Sequence, residues 1–165
     1  MKARGCSFFR TYCYGLLAAL ALVCCGASAY LLFLKPQVPE CRAVLWMSNQ
    51  QGDKTLRRAL LISVLPDGAR RAVVRINGSL FDNEVRYNVD RALELDYRRQ
   101  GSTYIFNLVS NNRMPQDTLK SPELNLRLPL EGRQYHLRIE QVDKHHFLFV
   151  NNYGPMFVCA TASGG

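Results

Sequence analysis

The sequence predicts an all-β outer domain of roughly eight mainly antiparallel strands, barrel-like or sandwich, behind a single N-terminal transmembrane helix. Three observations predict it. Tyr14 to Leu34 is an apolar run without one charged residue, and about 20 helical residues cross a bilayer core. Beyond residue 40 the apolar residues change to a period of two, the signature of half-buried strands. Turn signals then recur at short intervals, and no later segment keeps a helical period over three turns.

Composition fits that division. The protein has 165 residues, of which 48% are hydrophobic and 21% charged, which excludes a disordered tail and a coiled coil. Its formal net charge is +8.

The chain reads in four parts: a cytoplasmic segment (1–13), the membrane helix (14–34), a linker (35–40) and the outer domain (41–165). Lys2, Arg4 and Arg10 precede the apolar run with no acidic residue among them. Positive residues stay on the cytoplasmic side, so the outer domain is expected across the membrane. Ala27-Ser28-Ala29 offers a signal-cleavage pattern, but the apolar run continues to Leu34 where a signal peptide would turn polar. An uncleaved anchor is therefore expected. Ala21, Cys25 and Ala29 recur every four residues. Small residues at that spacing let two membrane helices approach closely, although alanine is common in anchors generally. In the linker, Pro36 and Pro39 stop a helix and favour extended chain.

In the outer domain, Arg71 to Phe81 places Ala72, Val74, Ile76 and Leu80 on one face. Val85, Tyr87, Val89, Leu93, Leu95 and Tyr97 share a face that only Arg91 interrupts. Tyr104 to Ser110, the alternating Leu124, Leu126 and Leu128, and Tyr135, Leu137 and Ile139 extend the strand list. Turns are expected at Pro66-Asp67-Gly68, Arg99 to Ser102, Asp143-Lys144 and Asn151 to Pro155. Asn49 to Leu56 reads as a polar connection. Asn111 to Pro122 reads as a longer loop with room for a short helical turn. Closing the sheet would remove its exposed edges, and eight strands are just enough to hold one small ligand.

Cys41 and Cys159 are the only cysteines of the outer domain and sit at its two ends. In an oxidising compartment such a pair reads as a disulfide, with two separate buried thiols as the alternative. Chemistry is sparse. His145 and His146 are adjacent and would point to opposite faces of a strand, and His136 is distant in sequence. Glu94 and Asp96 share a strand face beside Arg98 and Arg99, an arrangement more typical of a solvated surface than of acid–base catalysis. No HExxH, P-loop, GxSxG or GxGxxG occurs. No enzyme, metal or cofactor is therefore expected. The pairs Arg57-Arg58, Arg70-Arg71 and Arg98-Arg99 lie near turns. Across a membrane, basic patches suit lipid head groups or an acidic partner, and nucleic acid is not expected there.

The layout of one anchor, a strand opening with Cys41-Arg42-Ala43 and an ending Tyr153-Gly154-Pro155-Met156-Phe157-Val158-Cys159 resembles the FidL-like membrane proteins of enteric bacteria. More remotely it is similar to the ToxS-type partners of ToxR-like regulators, which close with a similar Pro-x-x-V-Cys ending. The resemblance implies a bacterial inner-membrane protein with a periplasmic domain, acting as a non-enzymatic accessory to a ToxR-like transmembrane regulator. The segment before residue 14 is too short to carry a DNA-binding domain of its own. A stand-alone barrel holding a lipid or another small apolar or amphipathic ligand is the alternative. For the accessory role, Phe157 and Val158 of the last strand are the expected partner edge, because no later strand covers them.

Overall fold

The computed structural model of the protein describes residues 4–31, 38–51, 54–130 and 132–161. The chain divides into two units, Met1–Lys35 and Pro36–Gly165. Among its described residues the first holds one helix, α1 (Arg4–Ala29). Within it, Tyr12–Ala29 is long and apolar enough to cross a membrane, with a mean hydropathy of 1.8. Residues 35–37 of the expected linker, and the apolar residues at 32–34, lie outside the described residues.

The second unit is a closed barrel of eight antiparallel strands in sequence order, as expected. They are β1 (Cys41–Gln51), β2 (Lys54–Pro66), β3 (Arg71–Asp82), β4 (Val85–Gln100), β5 (Thr103–Arg113), β6 (Gln134–Gln141), β7 (His146–Asn151) and β8 (Gly154–Ala160). A four-residue helix, α2 (Pro122–Asn125), lies in the β5–β6 connection. Every neighbour is joined by a hairpin except β5 and β6, and the last strand meets the first.

Alternation sets the core. Leu60, Ile62 and Val64 of β2, Ala72, Val74, Ile76 and Leu80 of β3, and Val89, Leu93, Leu95 and Tyr97 of β4 are all buried. Tyr97, Tyr104 and Phe106 form an aromatic cluster with ring centroids 5.4–6.2 Å apart. The barrel is thus filled by its own side chains at this level. At Gly78 the neighbouring backbone leaves no room for a side chain. Gly78 faces Leu60 across the β2–β3 ladder with φ +154°, and a Cβ there would stand 2.1 Å from the carbonyl oxygen of Ala59.

Two expectations are corrected. Asn49 to Leu56 is not a polar connection: Asn49, Gln50 and Gln51 belong to β1 and Lys54, Thr55 and Leu56 to β2, and the two strands stay in register out to Gln51↔Lys54. Alternation fails in the sequence because Ser48, Asn49 and Gln50 are polar and exposed, and of the described residues in this stretch only Leu56 on the returning strand is buried. Leu124, Leu126 and Leu128 are not a strand either. Pro122–Asn125 is helical, Leu126 is exposed and Leu128 is buried. Pro at the start of a helix costs no hydrogen bond, and Glu123 in the first turn suits the helix dipole.

Candidate partner-binding seam

The barrel closes where β8 meets β1, and that closure is short. β1 and β2 are in register from Cys41↔Val64 to Gln51↔Lys54. β8 and β1 are in register at one position, Arg42↔Ala160. Beyond it, toward the Gly154 end of β8 and the Gln51 end of β1, neither strand has the other as a ladder partner. Strand edges without a ladder partner are templates for another strand.

The seam is pinned beside that one pair by a disulfide between Cys41 and Cys159, whose Cα atoms are 5.5 Å apart. Both cysteines are buried. The bridge spans 118 residues of sequence, a loop long enough for about 4–5 kcal/mol of stabilisation in the chain-entropy account.

Of the expected partner edge, the two residues point to opposite faces. Phe157 is buried and stacks on Phe149 with centroids 4.8 Å apart. It is a core residue, and its ring is not available to a partner. Val158 is 51% exposed on the outer face. On its other side β8 is covered by β7 from His146↔Ala160 to Asn151↔Gly154.

The β5–β6 connection closes the other end of the long strands. β5 pairs with β6 from Thr103↔Arg138 to Asn107↔Gln134, and the Leu108 N–H donates to the Arg133 carbonyl at 2.9 Å; beyond that the chain leaves β6. Residues 114–118 continue along β4 past the end of β5: the Met114 N–H donates to the Asp90 carbonyl (3.0 Å) and the Thr118 N–H to the Asn88 carbonyl (3.0 Å). The anchor of this segment is Arg91, the residue that interrupts the apolar face of β4. It is 1% exposed. Its Nε donates to Asp117 Oδ2 at 2.7 Å and its Nη2 to Asn125 Oδ1 at 2.6 Å and to the Leu119 carbonyl at 3.2 Å. Burial raises the Asp117 carboxyl, but the Arg91 hydrogen bond and charge, with the Asp90 and Leu119 backbone N–H groups, outweigh it and hold the carboxyl below its usual range. In the sequence Arg91 shows only as a break in the apolar face. The usable signal was an arginine in register with core residues, which demands a buried acceptor set elsewhere in the chain.

Between α2 and the β1–β2 tip lies a cavity of about 630 Å³. Leu56 and Leu124 supply its apolar surface, and Asn49, Asp82, Glu123 and Arg127 are among its polar lining. Arg58 is buried nearby in the barrel and donates through Nη1 to the Arg127 carbonyl. Its pKa is lowered, first by burial and then by the Arg127 charge.

The remaining sequence candidates are dispersed. Glu94 and Asp96 are both exposed on the outer face of β4. His146 Nδ1 sits 2.8 Å from Asp143 Oδ2 on the surface, and His136 lies on β6. No group of three potential metal ligands occurs among the described residues. Ala21, Cys25 and Ala29 fall on one side of α1 by helical geometry, and all three are exposed. No family model matches this chain, and no curated protein matches it.

Proposed function

We propose that the protein is a non-enzymatic, membrane-anchored accessory whose periplasmic barrel binds the outer domain of a ToxR-like transmembrane regulator at the β8–β1 seam. The observation that carries this reading is the single-position closure at Arg42↔Ala160. An extended segment of a partner can add to such an edge: backbone hydrogen bonds supply affinity, and side-chain positions alternate to supply specificity. Val158 is an exposed apolar side chain of β8 beside that edge. In this reading α1 crosses the inner membrane with its N-terminus in the cytoplasm, following the Lys2, Arg4 and Arg10 bias. It places the barrel and the regulator's outer domain on the same side of the membrane.

The test is site-specific photocrosslinking from position 158 in the full chain, co-expressed with a ToxR-like regulator. The expected product is a heterodimer, with a longer regulator half-life than in cells lacking this chain. Crosslinks confined to this chain, together with an unchanged regulator half-life, would reject the role.

The cavity beside α2 favours a second reading, a barrel that holds a small ligand. Its mixed lining suits an amphipathic molecule better than a wholly apolar one. Mass spectrometry of the purified full chain should then find a bound small molecule that is lost when Leu124→Glu places a charge on the cavity wall.

A further inference from the structure

The ladder registers place sixteen outward residues of β1–β4 in a grid of four rows. The first row is Arg42, Ser63, Arg75 and Ala92, and the second Val44, Leu61, Asn77 and Asp90. The third is Trp46, Ala59, Ser79 and Asn88, and the fourth Ser48, Arg57, Phe81 and Arg86. The two central rows carry the apolar residues at the β1 side: Val44 is 68% exposed, Trp46 76% and Leu61 39%. The two outer rows carry the arginines. Arg57 and Arg86 stand over the Phe81 ring, 5.5 and 5.9 Å from its centroid, and the Arg86 Nε donates to Ser79 Oγ at 3.1 Å. Among the described residues none of Arg42, Arg57, Arg75 and Arg86 has an ion-pair partner. Asp90 is the one acid in the grid.

We infer that this face lies against a bilayer surface bearing anionic head groups, with Trp46 and Val44 at head-group depth and the four arginines on lipid phosphates. The inference rests on the membrane-anchor reading of α1. Three properties select lipid over protein as the occupant. The patch begins at the strand that directly follows the anchor, and the chain from Leu31 to Cys41 spans at most about 35 Å even fully extended. The barrel is therefore confined to the membrane surface, and a surface contact becomes an intramolecular event. An amphipathic tryptophan in an apolar band, with a row carrying two arginines on either side of that band, matches the chemistry of the bilayer interface. The apolar centre is three side chains wide, small beside the roughly 800 Å² per partner of a stable protein interface, whereas a tethered domain needs only weak contacts to settle.

Trp46 is the only tryptophan in the chain, so its fluorescence reports this face alone. The full chain is placed in nanodiscs of phosphatidylcholine, or of phosphatidylcholine mixed with phosphatidylglycerol, with acyl chains brominated near the head group or left unbrominated. Trp46 emission should be quenched by brominated lipid in the phosphatidylglycerol discs, less in phosphatidylcholine alone, and less at high salt. Arg57→Gln and Arg75→Gln should each lower the surface-contact equilibrium about fivefold. Both are exposed positions, and an intact Cys41–Cys159 bridge on a non-reducing gel checks the fold. Emission unaffected by bromination in both lipids, with Trp46 open to aqueous iodide, would overturn the inference. So would a Trp46 shielded from iodide yet unquenched by brominated lipid, which is the outcome for a protein partner or a second copy. If alkaline washing strips the chain from the discs, the anchor reading fails separately. The same brominated phosphatidylglycerol mixture is then offered as vesicles, and absence of quenching there rejects the face itself.

Discussion

The five strands β1–β5 and the three strands β6–β8 belong to one barrel but are built differently. The first set runs 11 to 16 residues per strand, the second 6 to 8. β2, β3 and β4 are paired along nearly their whole length. β6 and β7 share only Arg138↔Val150 to Gln141↔Phe147, and β8 meets β1 once. A long ladder fixes itself through alternating burial and many cross-strand pairs. A short one needs fasteners, here a disulfide at the seam and an arginine that ties the β5–β6 connection to β4. Barrel closure is thus a separate energetic problem from sheet formation, and the fasteners sit where the ladders are short.

The largest effect should come from breaking the long half at its tightest point. Gly78→Ala would push a Cβ to 2.1 Å from the Ala59 oxygen and 2.9 Å from the Leu60 Cα. Both obstacles are backbone, so β2 and β3 must separate. A cost above about 4 kcal/mol is expected, a large part of a typical domain's stability. Thermal unfolding of the full chain in detergent micelles measures it. A loss near 1 kcal/mol would mean that the ladder there is pliant and that the long half is less rigid than its register implies.

Next is the fastener under the β5–β6 connection. Asp117→Ala leaves Arg91 buried without its carboxylate, and removing one partner of a buried pair costs about 3–5 kcal/mol. The double variant Arg91→Met with Asp117→Leu should recover most of that loss, because no charge is then stranded. The same pair sets a pH dependence. Because the folded-state carboxyl of Asp117 is depressed, its stabilisation is present above the unfolded value near 3.9. It is lost as pH falls below that toward the folded value. Acid unfolding of the double variant should accordingly begin at lower pH than that of the parent.

How these features show in the sequence follows the same contrast. β3 and β4 are legible because each buries one face along its length, so Ala72 to Leu80 and Val89 to Tyr97 alternate visibly. The hairpin end at Asn49 to Leu56 is not, since among its described residues Leu56 is the one buried apolar residue beside polar ones, and a single residue shows no period. Leu124 to Leu128 imitates a strand because a four-residue helix is too short to show its period, and its Pro122 and Glu123 are the better guide. Arg91 is visible as an exception, but its partners Asp117 and Asn125 are some thirty residues away and only the folded connection brings them together. The cysteine pair marks the seam. That the ladder beside it is one pair deep is a matter of strand stagger, which no local pattern encodes.

The third break is the seam itself. Cys41→Ser and Cys159→Ser should destabilise the barrel by similar amounts, about 2–4 kcal/mol, because each removes the same constraint. Hydrogen exchange locates the effect: amides of β8 should lose protection first, with those of β2–β4 little changed below the global unfolding limit. Uniform loss of protection in all eight strands would show that closure and sheet formation are one cooperative event.

The smallest expected change in stability separates holding the barrel shut from offering an edge. Val158 is half exposed and lies on the outer face, while its neighbours Phe157 and Cys159 fill the interior. Val158→Asp removes no core contact, so thermal unfolding should shift by no more than about 0.5 kcal/mol, the usual range for surface sites. A carboxylate beside the seam should nonetheless abolish crosslinking to a regulator strand, since an incoming apolar side chain would meet a hydrated charge. A variant that loses stability by several times that range and still crosslinks would reverse the assignment. Val158 would then be a closing residue of the barrel, and the edge that accepts a partner would have to lie elsewhere.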